Sequence, residues 1–237
     1  METIATPGTA LLRWGAAAAG LAYIVLFMAT FAIGAGAYLY GPVTPEAVAT
    51  WAGQHADAVH AFVLLSVVGD WSVALFFVLM IAATGVRSAS AFIACAGVVA
   101  AQAVYAVVRG AQYALPQLAG LQDGIHLAQV AVVLQGSLVL AVYPIPFGLG
   151  LLAAGYVLLR GRGMLRVLGA VAMVLAPIYA GALIIRALVP AADFLEFTVE
   201  ALQLWMLATC IALLLPARWR GLQADTKVAQ RTVADPV

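Results

Sequence analysis

Of 237 residues, 65% are apolar and only 9% are charged, with a net charge of +1. A water-exposed globular surface uses about 25% charged residues, so most of this surface is suited to lipid. The single lysine, Lys227 in the polar tail, excludes both a basic nucleic-acid footprint and Schiff-base chemistry within a membrane. With short connections the length leaves room for six spans of about 20 residues in one domain, an all-α polytopic bundle.

Residues 1–12, rich in Thr with Pro7 and Gly8, read as a poorly ordered lead-in. The first span is expected over 14–40, with Arg13 and Trp14 at one interface and Tyr38 and Tyr40 at the other, where amphipathic rings sit well. Ala-Gly-Ala at 35–37 has the look of a signal-peptidase site. The apolar run before it is longer than a signal core of about 7–15 residues, so a retained anchor helix is expected. Segment 41–59 turns polar (GPVTPEAVATWAGQHADAV), and Pro45-Glu46 ahead of Val48, Trp51 and Ala52 fits a short interfacial helix.

The second span, 60–84, carries Asp70 deep in an apolar run. The third, 90–108, is rich in small residues, with Gly97 and Ala101 spaced to let helix backbones approach. Residues 109–124, with Pro116 and several glycines, read as a loop. The fourth, 125–159, would be about 50 Å long at 1.5 Å per residue and so exceeds a hydrocarbon core of about 30 Å. Pro144-Ile-Pro146 is where it should bend, since each proline removes a backbone donor and crowds the preceding turn. The fifth span, 165–188, is expected to kink a second time at Pro177, and the sixth is 196–215. The transmembrane domain is thus 13–217, followed by a polar tail over 218–237.

Arginine and lysine fall unevenly between the two sides. Arg13, Arg87, Arg160, Arg162, Arg166, Arg218, Arg220, Lys227 and Arg231 share one side, and only Arg109 and Arg186 occupy the other. The positive-inside rule then predicts cytoplasmic termini, with Arg160, Arg162 and Arg166 forming a topogenic cytoplasmic turn. The two cysteines, Cys95 and Cys210, lie in apolar runs about two turns from the same membrane face. They could approach each other, but on a reducing side they are expected to stay unbridged and to serve as small packing residues.

An acid near a bilayer centre costs about 2.5–3.5 kcal/mol on insertion, which makes Asp70 the first functional candidate. Gln102, Tyr105, Gln129, Gln135, Tyr179, Glu200 and Gln203 lie at comparable depth. Asp70, Gln102, Tyr105, Gln135, Glu200 and Gln203 are the ligand- or proton-binding candidates, lining a polar cavity that opens outward. The alternative is an uncharged Asp70, hydrogen-bonded to a glutamine or tyrosine, that only specifies packing. His55, His60 and His126, with external Asp57, Asp123, Glu196 and Glu200, hold the atoms for a zinc-type site, but their spacing matches no metal signature and no cofactor is expected. Nucleophile-elbow, P-loop and dinucleotide motifs are absent, as are histidines paired for haem.

GYVLLRGRGMLRVLGAVAMVLAP (155–177), with an opening span of the RWGAAAAGLAYIVLF type and the polar 41–59 segment, resembles a bacterial domain-of-unknown-function family of six-pass integral membrane proteins. Gly155, Tyr156, Arg160, Gly163, Arg166, Leu168 and Gly169 carry the resemblance. Leu165 and Arg162 stand where that family has Pro and Ser. The resemblance implies six helices in a bacterial plasma membrane and brings no established activity, cofactor or catalytic residue. Three functions follow from the residues: binding or passing a small molecule or ion at an outward-facing polar cavity; a non-catalytic accessory subunit, or homo-oligomer, packing through small-residue faces such as Gly97; or a metal-dependent enzyme using the external His and acid cluster.

Overall fold

The computed structural model describes residues 7–33, 44–121, 124–161, 163–188 and 195–215. Among these the protein is all-helical. The helices are α1 (Pro7–Ala32), α2 (Pro45–Gln54), α3 (Ala56–Thr84), α4 (Ala89–Ala119), α5 (Gly124–Ser137), α6 (Pro144–Leu159), α7 (Met164–Leu188) and α8 (Leu195–Leu214). A π-helical segment, Leu138–Val142, joins α5 to α6, and six helical stretches are long and apolar enough to cross a membrane.

Local chemistry fixes the ends. The Thr44 hydroxyl accepts from the Ala47 amide, and Pro45 occupies the first turn of α2, where a missing N–H costs nothing. Ser88 caps α4 in the same way through Ala91. Gly85, at φ 70°, ends α3 in the left-handed region that a side chain would disfavour. Helix α1 begins at Pro7, well inside the stretch expected as a lead-in, because proline is well placed at a first helical turn. Tyr38, Tyr40, the 35–37 motif, Arg162, Asp123, Asp193 and the tail lie outside the described residues.

The predicted break in the fourth span is present. Tyr143 N donates to Leu138 O, five residues back, so the helix widens by one residue immediately before Pro144 and Pro146. Widening there relieves the clash that each proline ring makes with the preceding turn. By contrast α7 runs unbroken through Pro177.

The spans form a closed ring in which α1, α3, α4, α6, α7 and α8 each neighbour the next, and α8 returns to α1. Aromatic side chains meet at its centre: Phe77 faces Phe147 edge-on at 6.1 Å, Phe76 and Phe77 flank Trp205, and Phe147 meets Tyr179 at 5.3 Å. At one end of the bundle α2 lies across α3, α4 and α5, packing Val48, Ala49 and Ala52 against Phe62, Leu115 and Ala128.

Two seams depend on glycine. A Cβ on Gly97 would stand 2.6 Å from Pro146 O and 2.8 Å from Gly150 Cα, so α4 and α6 touch through backbone. Gly155 and Gly169 do the same between α6 and α7. The spacing of Gly97 and Ala101, expected to let two helix backbones approach, is used within the chain at Gly97, which meets α6, and Ala101 is buried. Cys210 packs on Gly20 of α1, and both cysteines are free thiols.

Candidate functional site

Helix α4 does not stop at Val108. It continues for three further turns to Ala119, with Ser88 capping its start and Pro116 tolerated near its end. Arg109, expected in an external loop, therefore lies inside a helix long enough to cross a membrane, and the residue is 4% exposed. A cation in such a place requires a partner.

The partner is Asp70, the fifteenth of the 29 residues of α3 and so its midpoint. Arg109 Nε donates to Asp70 Oδ2 at 2.8 Å and Nη2 donates to Oδ1 at 3.3 Å. This two-pronged geometry matches the planar guanidinium to the carboxylate and is among the stronger hydrogen-bonded pairs available. Arg109 Nη1 donates to Gln112 Oε1 at 2.9 Å, one turn along α4. Its guanidinium carbon also lies 5.0 Å from the Tyr105 ring and 5.3 Å from the Phe62 ring, so two π faces share the positive charge. The expectation that Asp70 would be held by a glutamine or tyrosine gives way to a charge pair, because the neighbouring helix supplies an arginine at the same level.

The pair is not sealed in packing. A groove of about 270 Å³ on the flank of α3 and α4 is lined by Val63, Val67, Asp70 and Trp71 from one helix. Gln102, Ala106, Arg109, Gly110 and Tyr113 line it from the other. Successive spacings of three and four, widened by the adjacent pairs Asp70–Trp71 and Arg109–Gly110, put them on one stripe of each helix. On the α1 side, a space of about 20 Å³ between Tyr23, Phe27, Thr30, Ser66 and Gly69 reaches the same two charged side chains. That is room for about one water. Asp70 and Arg109 thus stand as a partition between an outer groove and a small inner space.

Gln102 sits in the groove wall, 3% exposed, and its Oε1 has no hydrogen-bond partner. Burying such an atom is costly unless something meets it.

No family model, curated protein or solved structure matches this chain.

The remaining candidates divide. Asp70, Gln102 and Tyr105 gather around Arg109. Gln135 and Gln203 are buried elsewhere, each with an unpartnered amide atom, and line neither space. Glu200 is exposed on α8. The three histidines have separate surroundings: His55 stacks on Trp51, His60 stacks on Tyr113 at 4.3 Å, and His126 contacts Gln129. Among the described residues no three His, Cys, Asp or Glu side chains come together as metal ligands would. Arg160 lies over Tyr156 and donates to its hydroxyl at 2.7 Å, while Arg166 is in the first turn of α7.

Arg109, Gln112, Trp71 and Tyr113 were not among the predicted site residues. The helical stripe Gln102, Tyr105, Arg109, Gln112 is the signal that could have found two of them, since its spacing of three and four residues continues unbroken across the expected end of the span.

Proposed function

We infer that the chain is a multi-pass protein of a bacterial plasma membrane, of the six-pass kind it resembles, that binds or passes a small molecule or ion at the Asp70–Arg109 centre. The observation carrying this reading is a charge pair at the midpoint of a span-length helix that borders a groove instead of being packed over. A pair needed only to lock two helices would gain from full burial, because residual space forfeits contact without adding a partner. Polar groups held at membrane depth beside a cavity are the usual mark of a substrate or proton path.

The orientation with both termini cytoplasmic is supported by moving Arg109 out of the loop count. Only Arg186 is then left on the external side against nine cations on the other.

Proton flux into proteoliposomes tests the reading, with the membrane potential clamped by a potassium gradient and valinomycin and the internal pH followed by a dye. Asp70→Asn should change the flux by about tenfold or more, since among the described residues it removes the acid that lines this centre. Equal flux from equal amounts of folded wild-type and variant protein would remove ion passage. Unchanged small-molecule binding as well would remove the reading altogether.

A further inference from the structure

We propose that the groove between α3 and α4 binds an uncharged amphiphile dissolved in the bilayer, whose ring-sized, hydrogen-bonding head enters sideways and meets Gln102. The proposal deepens the reading above and rests on it. The groove opens on the outer flank of the bundle, because Trp71, Ala106, Gly110 and Tyr113 are all exposed there. At the midpoint of a span-length helix such an opening faces acyl chains, so the ligand is one that reaches it through lipid.

The chemistry of the walls selects the head. Valines and two aromatic rings make up much of the lining, and Trp71, half exposed, offers a flat face on which a planar group stacks, while Tyr113 already stacks on His60. Asp70 and Arg109 already neutralise each other, so a charged head would bring an uncompensated charge to this depth. Gln102 supplies the specific contact: its amide is buried in the wall and its Oε1 is unmatched by any protein donor. A volume of about 270 Å³ accommodates a substituted six-membered ring, with an alkyl tail remaining in the lipid outside.

Gly110 provides the control. It lies within the groove wall, and a Cβ built there meets nothing within 4 Å, so a side chain can be added at the wall without its Cβ striking backbone. The experiment uses the full chain in lipid nanodiscs and, as probe, a 1,4-benzoquinone carrying a decyl tail, which quenches nearby tryptophan fluorescence. Wild-type protein should show quenching that saturates. Trp71→Phe should remove most of that component, Gly110→Leu and Ala106→Leu should each abolish saturation, and Gln102→Leu should weaken binding by about tenfold, the value of one well-made hydrogen bond.

Thermal unfolding of each variant checks that it remains folded, and the two groove-filling variants on neighbouring turns guard against one of them failing. Quenching that rises linearly with probe in the bilayer and is equal in wild type, Gly110→Leu and Ala106→Leu would mean partitioning into lipid only, and would overturn the proposal. In that case an Asp70-dependent proton flux would leave the broader reading standing with an ion as ligand. Loss of both would remove the two together.

Discussion

Helix α4 has two seams that solve the same packing problem in opposite ways. Toward α6 it presents Ala94, Gly97, Val98 and Ala101, and the backbones meet at Gly97 and Gly150 with no space for a methyl group. Toward α3 it presents Gln102, Arg109 and Tyr113, and the helices enclose a groove of about 270 Å³ beside an ion pair. The first seam gains from dispersion and close approach alone, as expected where the hydrophobic effect does not favour helix over lipid. The second bears the desolvation of two charges and an unmatched amide. A buried ion pair is often no better for stability than apolar residues of similar volume, so fold stability alone is a weak explanation for it.

Breaking the α3 seam on one side should have the largest effect. Arg109→Leu leaves Asp70 facing apolar surroundings, and unfolding in detergent should show a loss of about 3–5 kcal/mol. Replacing both, as Asp70→Leu with Arg109→Leu, should recover most of that loss. A double-mutant cycle gives the comparison, and a double variant as unstable as the single would show that the pair is structural glue of the same kind as the other seam. Next comes Gly97→Leu, which drives a side chain into Pro146 O and the Gly150 backbone. Atoms that belong to backbone have little room to yield, so a loss of about 3 kcal/mol is expected, seen as reduced Tm and abundance, and no second substitution at Asp70 or Arg109 should rescue it.

How much of this could be read from the chain follows the same division. Small-residue seams and spans are legible because apolar runs and glycine spacing report directly on lipid exposure and close approach. The widening before Pro144 is legible for a similar reason, since proline acts on its own preceding turn. Asp70 was conspicuous because a lone acid in an apolar run is expensive. Arg109 was not, because glycines and Pro116 follow it and a cation near a span's end is ordinarily a topogenic residue. Only the contact across α3 and α4 shows that it faces Asp70. Convergence of Gln203 with Asp70 was likewise a question of which helices are neighbours, whereas Gln135 lies on α5, which packs on α4, and still lines neither space. In the ring, α8 adjoins α1 and α7, away from α4.

Smaller effects sharpen the contrast. Trp205 Nε1 donates to Leu168 O at 2.9 Å, joining α8 to α7 in the tightly packed part of the ring. Trp205→Phe keeps most of the ring volume and removes that donor, so the loss should be about 1 kcal/mol in thermal unfolding. Binding of the quinone probe should be unchanged, because Trp205 does not line the groove.

The smallest expected change has the opposite sign. Gly110 lies mid-helix with no positive φ and nothing within 4 Å of the position its Cβ would take, so no close approach there requires glycine. Gly110→Ala should therefore stabilise α4 by about 0.5–1 kcal/mol, through reduced freedom of the unfolded chain. Along the α6 seam the same change at Gly97 should destabilise, since there even a methyl group meets backbone. Opposite signs from one substitution on one helix would place the two seams under different constraints, close contact in one and open volume in the other. A loss of stability at Gly110 would instead mean that the groove wall is packed against something after all, and that the space beside Asp70 is closed.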